Sequence, residues 1–264
     1  MRDSETTKES FESKLIENIA IVNLKGQALD IVTMPATSDY YDLLKSVGDS
    51  PELLGLAQIS DSQSYSHSAV QALSEFLAQD DRLHSVAGRQ YGFLHDVIAA
   101  RFRNSIGRIL LALVEFEKPM IAGMHGRISG DYLGIMLAFD ARFATAETTF
   151  SFDNVRTGIP GSPGITYLMP RYIGIGRALS LIERGATIDA HEALSLGLIS
   201  EIVNNEQELV DRCQKHIRDL TEHNRHLVKS HRQHILPSPD EMETALKRYY
   251  DAMAEAVMKL RNIS

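Results

Sequence analysis

Cysteine, basic charge and long apolar runs are all scarce in this sequence. The single cysteine, Cys213, excludes an internal disulfide and fits a reducing compartment, so a cytoplasmic protein is expected. No apolar run approaches the roughly 20 residues that a membrane-spanning helix needs, so no membrane partner is expected. Met1–Ser10 is polar and carries both signs of charge, unlike a signal or transit peptide. The 27 basic residues are outnumbered by 35 acidic ones, and the net charge of −8 argues against nucleic-acid binding. It leaves room for an anionic ligand held locally by a few basic side chains. No phosphate-loop or dinucleotide fingerprint is present; Gly174-Ile175-Gly176 is a lone Gly-x-Gly after an aromatic and apolar run.

What is present suits one well-filled domain, with or without a helical appendage: 44% of the 264 residues are hydrophobic and 23% charged. Apolar and polar residues alternate over Ile16–Leu24, which predicts a strand. A helix is expected around Tyr40–Val47, ended by Ser50-Pro51, and a buried strand over Leu53–Ile59. Ser68–Ala78 reads as helix and the polar Gln79–Gln90 as a surface loop. Ile98, Phe102, Ile106, Ile109, Leu113 and Phe116 recur at three- and four-residue steps, the pattern of an amphipathic helix. After Glu117-Lys118-Pro119, a strand is expected at Met120–Met124, a helix at Tyr132–Phe139 and a strand at Ala141–Phe150. A Gly/Pro turn (Gly158–Gly164) and helices at Ile165–Glu183 and Ala190–Leu196 follow. From Glu206 onward the chain is helix-forming, broken at Pro237 and Pro239. Strands alternating with helices imply βαβ units, parallel pairing and an α/β fold.

Four segments carry a more specific signal. Lys118–Gly126 (KPMIAGMHG) joins a helix end to a buried strand and a glycine. Ser129–Gly134 is a glycine-bearing turn before the apolar Ile135–Asp140. Phe150–Gly164 ends in a Gly/Pro loop, and Ala186–Val203 has Ala190, Ala193, Gly197 and Leu198 in an Ala-x-x-Ala-x-x-x-Gly-Leu frame. In their order and spacing these segments, about a third of the chain, resemble the enoyl-CoA hydratase/isomerase (crotonase) family. The resemblance implies a core of repeated ββα units over residues 13–204. A flexible tail (1–12) would precede it, and a C-terminal helical region (205–264) would help assemble a homotrimer, or a hexamer as a dimer of trimers. It implies an acyl-CoA thioester as ligand, with coenzyme A entering as part of the substrate and no prosthetic group. It also implies two backbone N–H groups aimed at the thioester oxygen, one of them at the start of the helix after the glycine-bearing turn.

The side chains on this framework depart from the family. Where hydratases carry a first catalytic glutamate stands Gly134, which is read as a point of close backbone approach. The second glutamate matches Asn154 when counted from Phe150 or Gly158, and Asp153 when counted from Pro160. Asn does not titrate usefully, so Asp153 is the nearest acid/base candidate, with a turn or cap carboxylate as its plain alternative. Asp131 occupies the oxyanion turn. With its N–H donating there, its carboxylate about 5 Å from the anion would cost about 3 kcal/mol at an effective dielectric near 20. It must turn away, be protonated or act itself; a helix cap is the plain alternative. Gly130 and Gly161 are further candidate substrate contacts. The other N–H donor falls at His67, beside Ser66, where an ordinary polar loop is an equal reading.

The remaining polar residues read as structural. His125 stands where the family often carries Asn or His. His223/His226 and His231/His234 have i, i+3 spacing but no carboxylate in step, so a solvated face is expected and no metal. Cys213 shares an apolar stripe with Leu209, Val210, Ile217 and Leu220. Ser162 lacks the frame of a nucleophile elbow. Two functional classes remain open: an enzyme acting on acyl-CoA by enolate chemistry (hydration, isomerisation, or decarboxylation or hydrolysis on the same fold), and a catalytically silent subunit that binds CoA thioesters.

Overall fold

The computed structural model describes residues 5–8, 11–24, 34–60 and 91–260. The expected helix at Ser68–Ala78 and the loop at Gln79–Gln90 lie outside the described residues, as do Ser66 and His67.

The chain opens with strand β1 (Glu5–Thr7) and strand β2 (Phe11–Ile16), which turns antiparallel into β3 (Ile19–Leu24). The region read as one strand from Ile16 is therefore half of a hairpin. Its two turn residues, Glu17 and Asn18, have φ of 47° and 63°, the backbone that matches the twist of a two-residue hairpin. The tail boundary at residue 12 also moves, because Phe11 is buried at the start of β2.

Helix α1 (Met34–Asp49) extends the expected Tyr40–Val47 in both directions, and the buried β4 (Gly55–Ser60) pairs parallel to β3. The periodic segment that follows is not one continuous α-helix. It comprises α2 (Tyr91–Phe102), a π turn (Arg103–Gly107) and α3 (Arg108–Glu115). The π turn coincides with Gly107, where any Cβ would overlap the hydroxyl of Tyr250. The expected apolar stripe from Ile98 to Phe116 stays buried across this break.

Strand β5 spans Met120–Met124, as expected, and β6 (Arg127–Ser129) leads into α4 (Gly130–Met136). The strand read as Ala141–Phe150 is two strands in different sheets, β7 (Ala141–Thr145) and β8 (Thr149–Ser151). Between them Thr148 turns the chain, its N–H on the Thr145 carbonyl and its hydroxyl on the Met124 carbonyl. Then come α5 (Asn154–Thr157), a second π turn (Gly164–Leu168), α6 (Met169–Ile173) and α7 (Ile175–Glu183). Strand β9 (Thr187–Asp189), α8 (Ala190–Ser195) and β10 (Glu201–Val203) follow, before the long α9 (Glu206–Ile235) and α10 (Pro239–Leu260).

Seven strands form one sheet in the order β1-β2-β3-β4-β5-β7-β10, parallel from β3 onward, and β6-β8-β9 form a second. The expected α/β class is borne out. The region from residue 205 shares the core with the rest of the chain. Leu209, Cys213 and Ile217 of α9 cover one face of the large sheet against Ile21, Ile59, Ile121 and Phe143. Met242, Leu246, Tyr250 and Met253 of α10 join the core on the other face. Cys213 is a packed thiol whose pKa burial raises. Ser238 and Glu241 close a capping box at the start of α10, with Pro239 at the first helical position.

Arg232 ties α9 to the site-bearing layer. Its guanidinium is buried and donates to the carbonyls of Leu113, Phe116 and Ala138, and at 2.8 Å to Asp140, which in turn accepts from the Met120 N–H. One cation thus satisfies chain ends after α3 and α4 that would otherwise bury unpaired carbonyls. Replacing Arg232 with Met leaves these acceptors and Asp140 uncompensated, and is expected to cost about 3–5 kcal/mol in urea unfolding. A loss under about 1 kcal/mol would show that the hub is dispensable.

Candidate functional site

The site forms where β6 runs into α4. Ser129, in extended backbone, caps the helix by accepting from the Tyr132 N–H at 3.2 Å. The cap is therefore Ser129, not Asp131, which falls inside the first turn. There its backbone N–H is among those with no partner within the helix. Gly130 packs on the ring of Phe152, which a Cβ at residue 130 would overlap.

The Asp131 carboxylate is turned toward the loop after β8. It accepts from the Ser162 N–H at 2.6 Å and from Asn154 Nδ2 at 2.5 Å. Burial is the largest influence on this carboxyl and raises its pKa; hydrogen bonding from Ser162 and Asn154 opposes that, and the nearby Asp153 charge adds to it. Asn154, counted from Phe150 and Gly158 as the match to the family's second glutamate, is buried and meets Asp131 directly. Asp153 starts α5 in the cap position and its carbonyl accepts from the Arg156 N–H.

Gly134 lies where α4 crosses the second π turn. A Cβ there would come within 2.6 Å of the Gly164 carbonyl carbon and of the Ile165 nitrogen, and one on Gly164 would strike the Gly134 backbone. Both obstacles are backbone, so no side chain can enter at residue 134.

Behind α4, Tyr132 points into the core. Its hydroxyl accepts from Gln58 Nε2 at 2.8 Å and shares a hydrogen bond with Ser60 Oγ, while Gln58 Oε1 accepts from Tyr40. This buried chain fastens the first turn of α4 to the carboxyl end of β4. The sequence held one hint of it, a glutamine inside the apolar run of β4. Nothing local pointed to the Ser162 N–H.

A cleft of about 490 Å³ opens at Gly161, the residue before the Ser162 N–H that Asp131 accepts from. Gly161 and Tyr167 line one side, and Arg248 and Tyr249 of α10 the other. The Tyr249 phenol has its pKa raised by burial first and then by the Asp131 charge. Thus Asp131, Asn154 and Gly161 converge with Gly130. His125, read as structural, pairs with the exposed Glu206 at 3.2 Å.

The enoyl-CoA hydratase/isomerase family pattern matches residues 80–259. The chain is 40% identical over 103 residues to a peroxisomal bifunctional enzyme of Cavia porcellus, covering 39% of this chain and 14% of that protein. It is 32% identical over 123 residues to a probable enoyl-CoA hydratase of Mycobacterium leprae, covering 46% of this chain and 42% of that one. The chain thus spans less than half the length of either relative. Solved structures agree in fold: an enoyl-CoA hydratase from Bacillus halodurans (TM-score 0.73, 18% identity, 97% of this chain and 98% of that one) and Pseudomonas aeruginosa OdaA (0.75, 16%, 95% and 94%). With the family pattern over most of its length and a crotonase fold around the Asp131 site, this chain belongs to the enoyl-CoA hydratase/isomerase family.

Proposed function

We propose that the protein is an enzyme that acts on an acyl-CoA thioester by stabilising an enolate, with Asp131 as its proton-transfer group. The observation that carries this is the position of the Asp131 carboxylate. It is fixed between Asn154, which matches the family's second glutamate, and the loop N–H of Ser162. The helix carrying the first glutamate in relatives is retained, but its matching position is sealed. One carboxylate therefore stands in for two.

In this reading the thioester oxygen accepts from the N–H groups of the first turn of α4, where the helix dipole favours the negative charge of an enolate. Asp131 holds its carboxylate on Asn154 and the Ser162 N–H, whose hydrogen bonds offset part of the repulsion foreseen for a carboxylate in this turn. Burial keeps it a weaker acid than an exposed aspartate, so it can both hold and release a proton near the acyl group. A single acid/base group suits a reaction that needs anion stabilisation more than two proton transfers. Decarboxylation on the same fold fits that requirement better than hydration does.

Asp131→Asn is expected to lower kcat by about 100-fold or more on a panel of enoyl- and malonyl-type CoA thioesters, with KM little changed. Thioester binding without turnover in the wild type would instead identify a silent binding subunit, and no binding would end the acyl-CoA reading. The raised pKa has a second consequence. Asp131 contributes stability that is fully present below the ordinary carboxylate pKa and lost as pH rises through its higher native value. The urea midpoint of the wild type should therefore fall relative to that of Asp131→Asn across this window; parallel profiles would show an unshifted group. Gly134→Ala should cost about 1–3 kcal/mol in thermal unfolding, because a backbone crossing must open. For the same reason Gly134→Glu should not create hydratase activity.

A further inference from the structure

The cleft at Gly161 carries one charged group without a commitment. Its walls are otherwise neutral and largely apolar, with Pro160, Gly161 and Thr166 on the loop side and Ala245 and Ala252 on α10. Glu241 also borders it, but its carboxylate is taken up by the Ser238 N–H and hydroxyl in the capping box. Tyr167 is engaged by Arg171, which stacks on its ring and donates to its hydroxyl at 2.7 Å. Arg248 is exposed at the cleft and has no hydrogen-bond or ion-pair partner among the described residues.

Resting on the acyl-CoA reading above, we propose that Arg248 selects acyl groups that carry a carboxylate at their far end. The acyl chain would lie along the apolar walls, and the planar guanidinium would take the terminal carboxylate through paired N–H donors. Arg248 lines the same cleft as Gly161, whose chain neighbour Ser162 donates its N–H to Asp131, so one cleft joins the cation to the loop that holds the carboxylate. The phosphates of coenzyme A are separated from the thioester by the whole pantetheine arm, which makes them the poorer match for a cation in the cleft that Gly161 lines.

The test is binding of adipoyl-CoA and hexanoyl-CoA, matched in chain length and differing in the terminal carboxylate, by isothermal titration calorimetry on the full chain. Wild type should bind adipoyl-CoA about tenfold more tightly, the scale of one partly exposed charged contact. Arg248→Gln should abolish that preference and leave hexanoyl-CoA within about twofold, with an unchanged melting curve. No preference in the wild type, or a preference that survives the substitution, would overturn the proposal. So would equal weakening of hexanoyl-CoA and free coenzyme A, which would assign Arg248 to a coenzyme phosphate. Binding of neither thioester would overturn the acyl-CoA reading itself, whereas hexanoyl-CoA binding without discrimination would overturn the Arg248 assignment alone.

Discussion

The site is organised by a crossing of two backbones. Gly134 on α4 and Gly164 at the start of the second π turn touch so closely that neither position has space for a Cβ. This contact fixes the distance between the helix that follows β6 and the loop that follows β8. The Ser162 N–H and the Asn154 amide are thereby brought against the first turn of α4, where Asp131 waits for them. Protein interiors tolerate little added volume at such a point.

The same crossing explains how one carboxylate can be buried here. Moving an anion out of water is costly unless hydrogen bonds replace the lost hydration. Asp131 receives two such bonds, one from backbone and one from Asn154, and burial still dominates its titration. The asparagine at residue 154 is thus a hydrogen-bond donor to the Asp131 carboxyl. Arg232 acts at another point of the layer by the same rule, donating to three backbone carbonyls and the Asp140 carboxylate.

Much of the fold was legible in the sequence, for local reasons. Met120–Met124 is an uninterrupted apolar strand, and Ala190–Ser195 follows a capping Asp189 whose carboxylate accepts from Glu192. The misjudged elements lack a local marker. The Glu17-Asn18 turn contains no glycine although both residues have positive φ. The π turn at Arg103–Gly107 keeps its apolar stripe, so periodicity does not reveal it. The break between β7 and β8 depends on a threonine whose hydroxyl reaches back to β5.

By itself, the sequence determined the α/β class, the close backbone approach at residue 134 and the short set of candidate site residues. Each of these is written in spacing along the chain, in apolar period, glycine position and distance from Phe150. Only the tertiary structure decided which carboxylate is the buried one, what holds it and what faces it. The Ser162 N–H is 31 residues from Asp131, Tyr132 is 74 from Gln58, and Phe116 is 116 from Arg232. No pattern in a local window encodes such pairings. They follow from how elements distant along the chain pack together, as at the Gly134–Gly164 crossing beside Asp131.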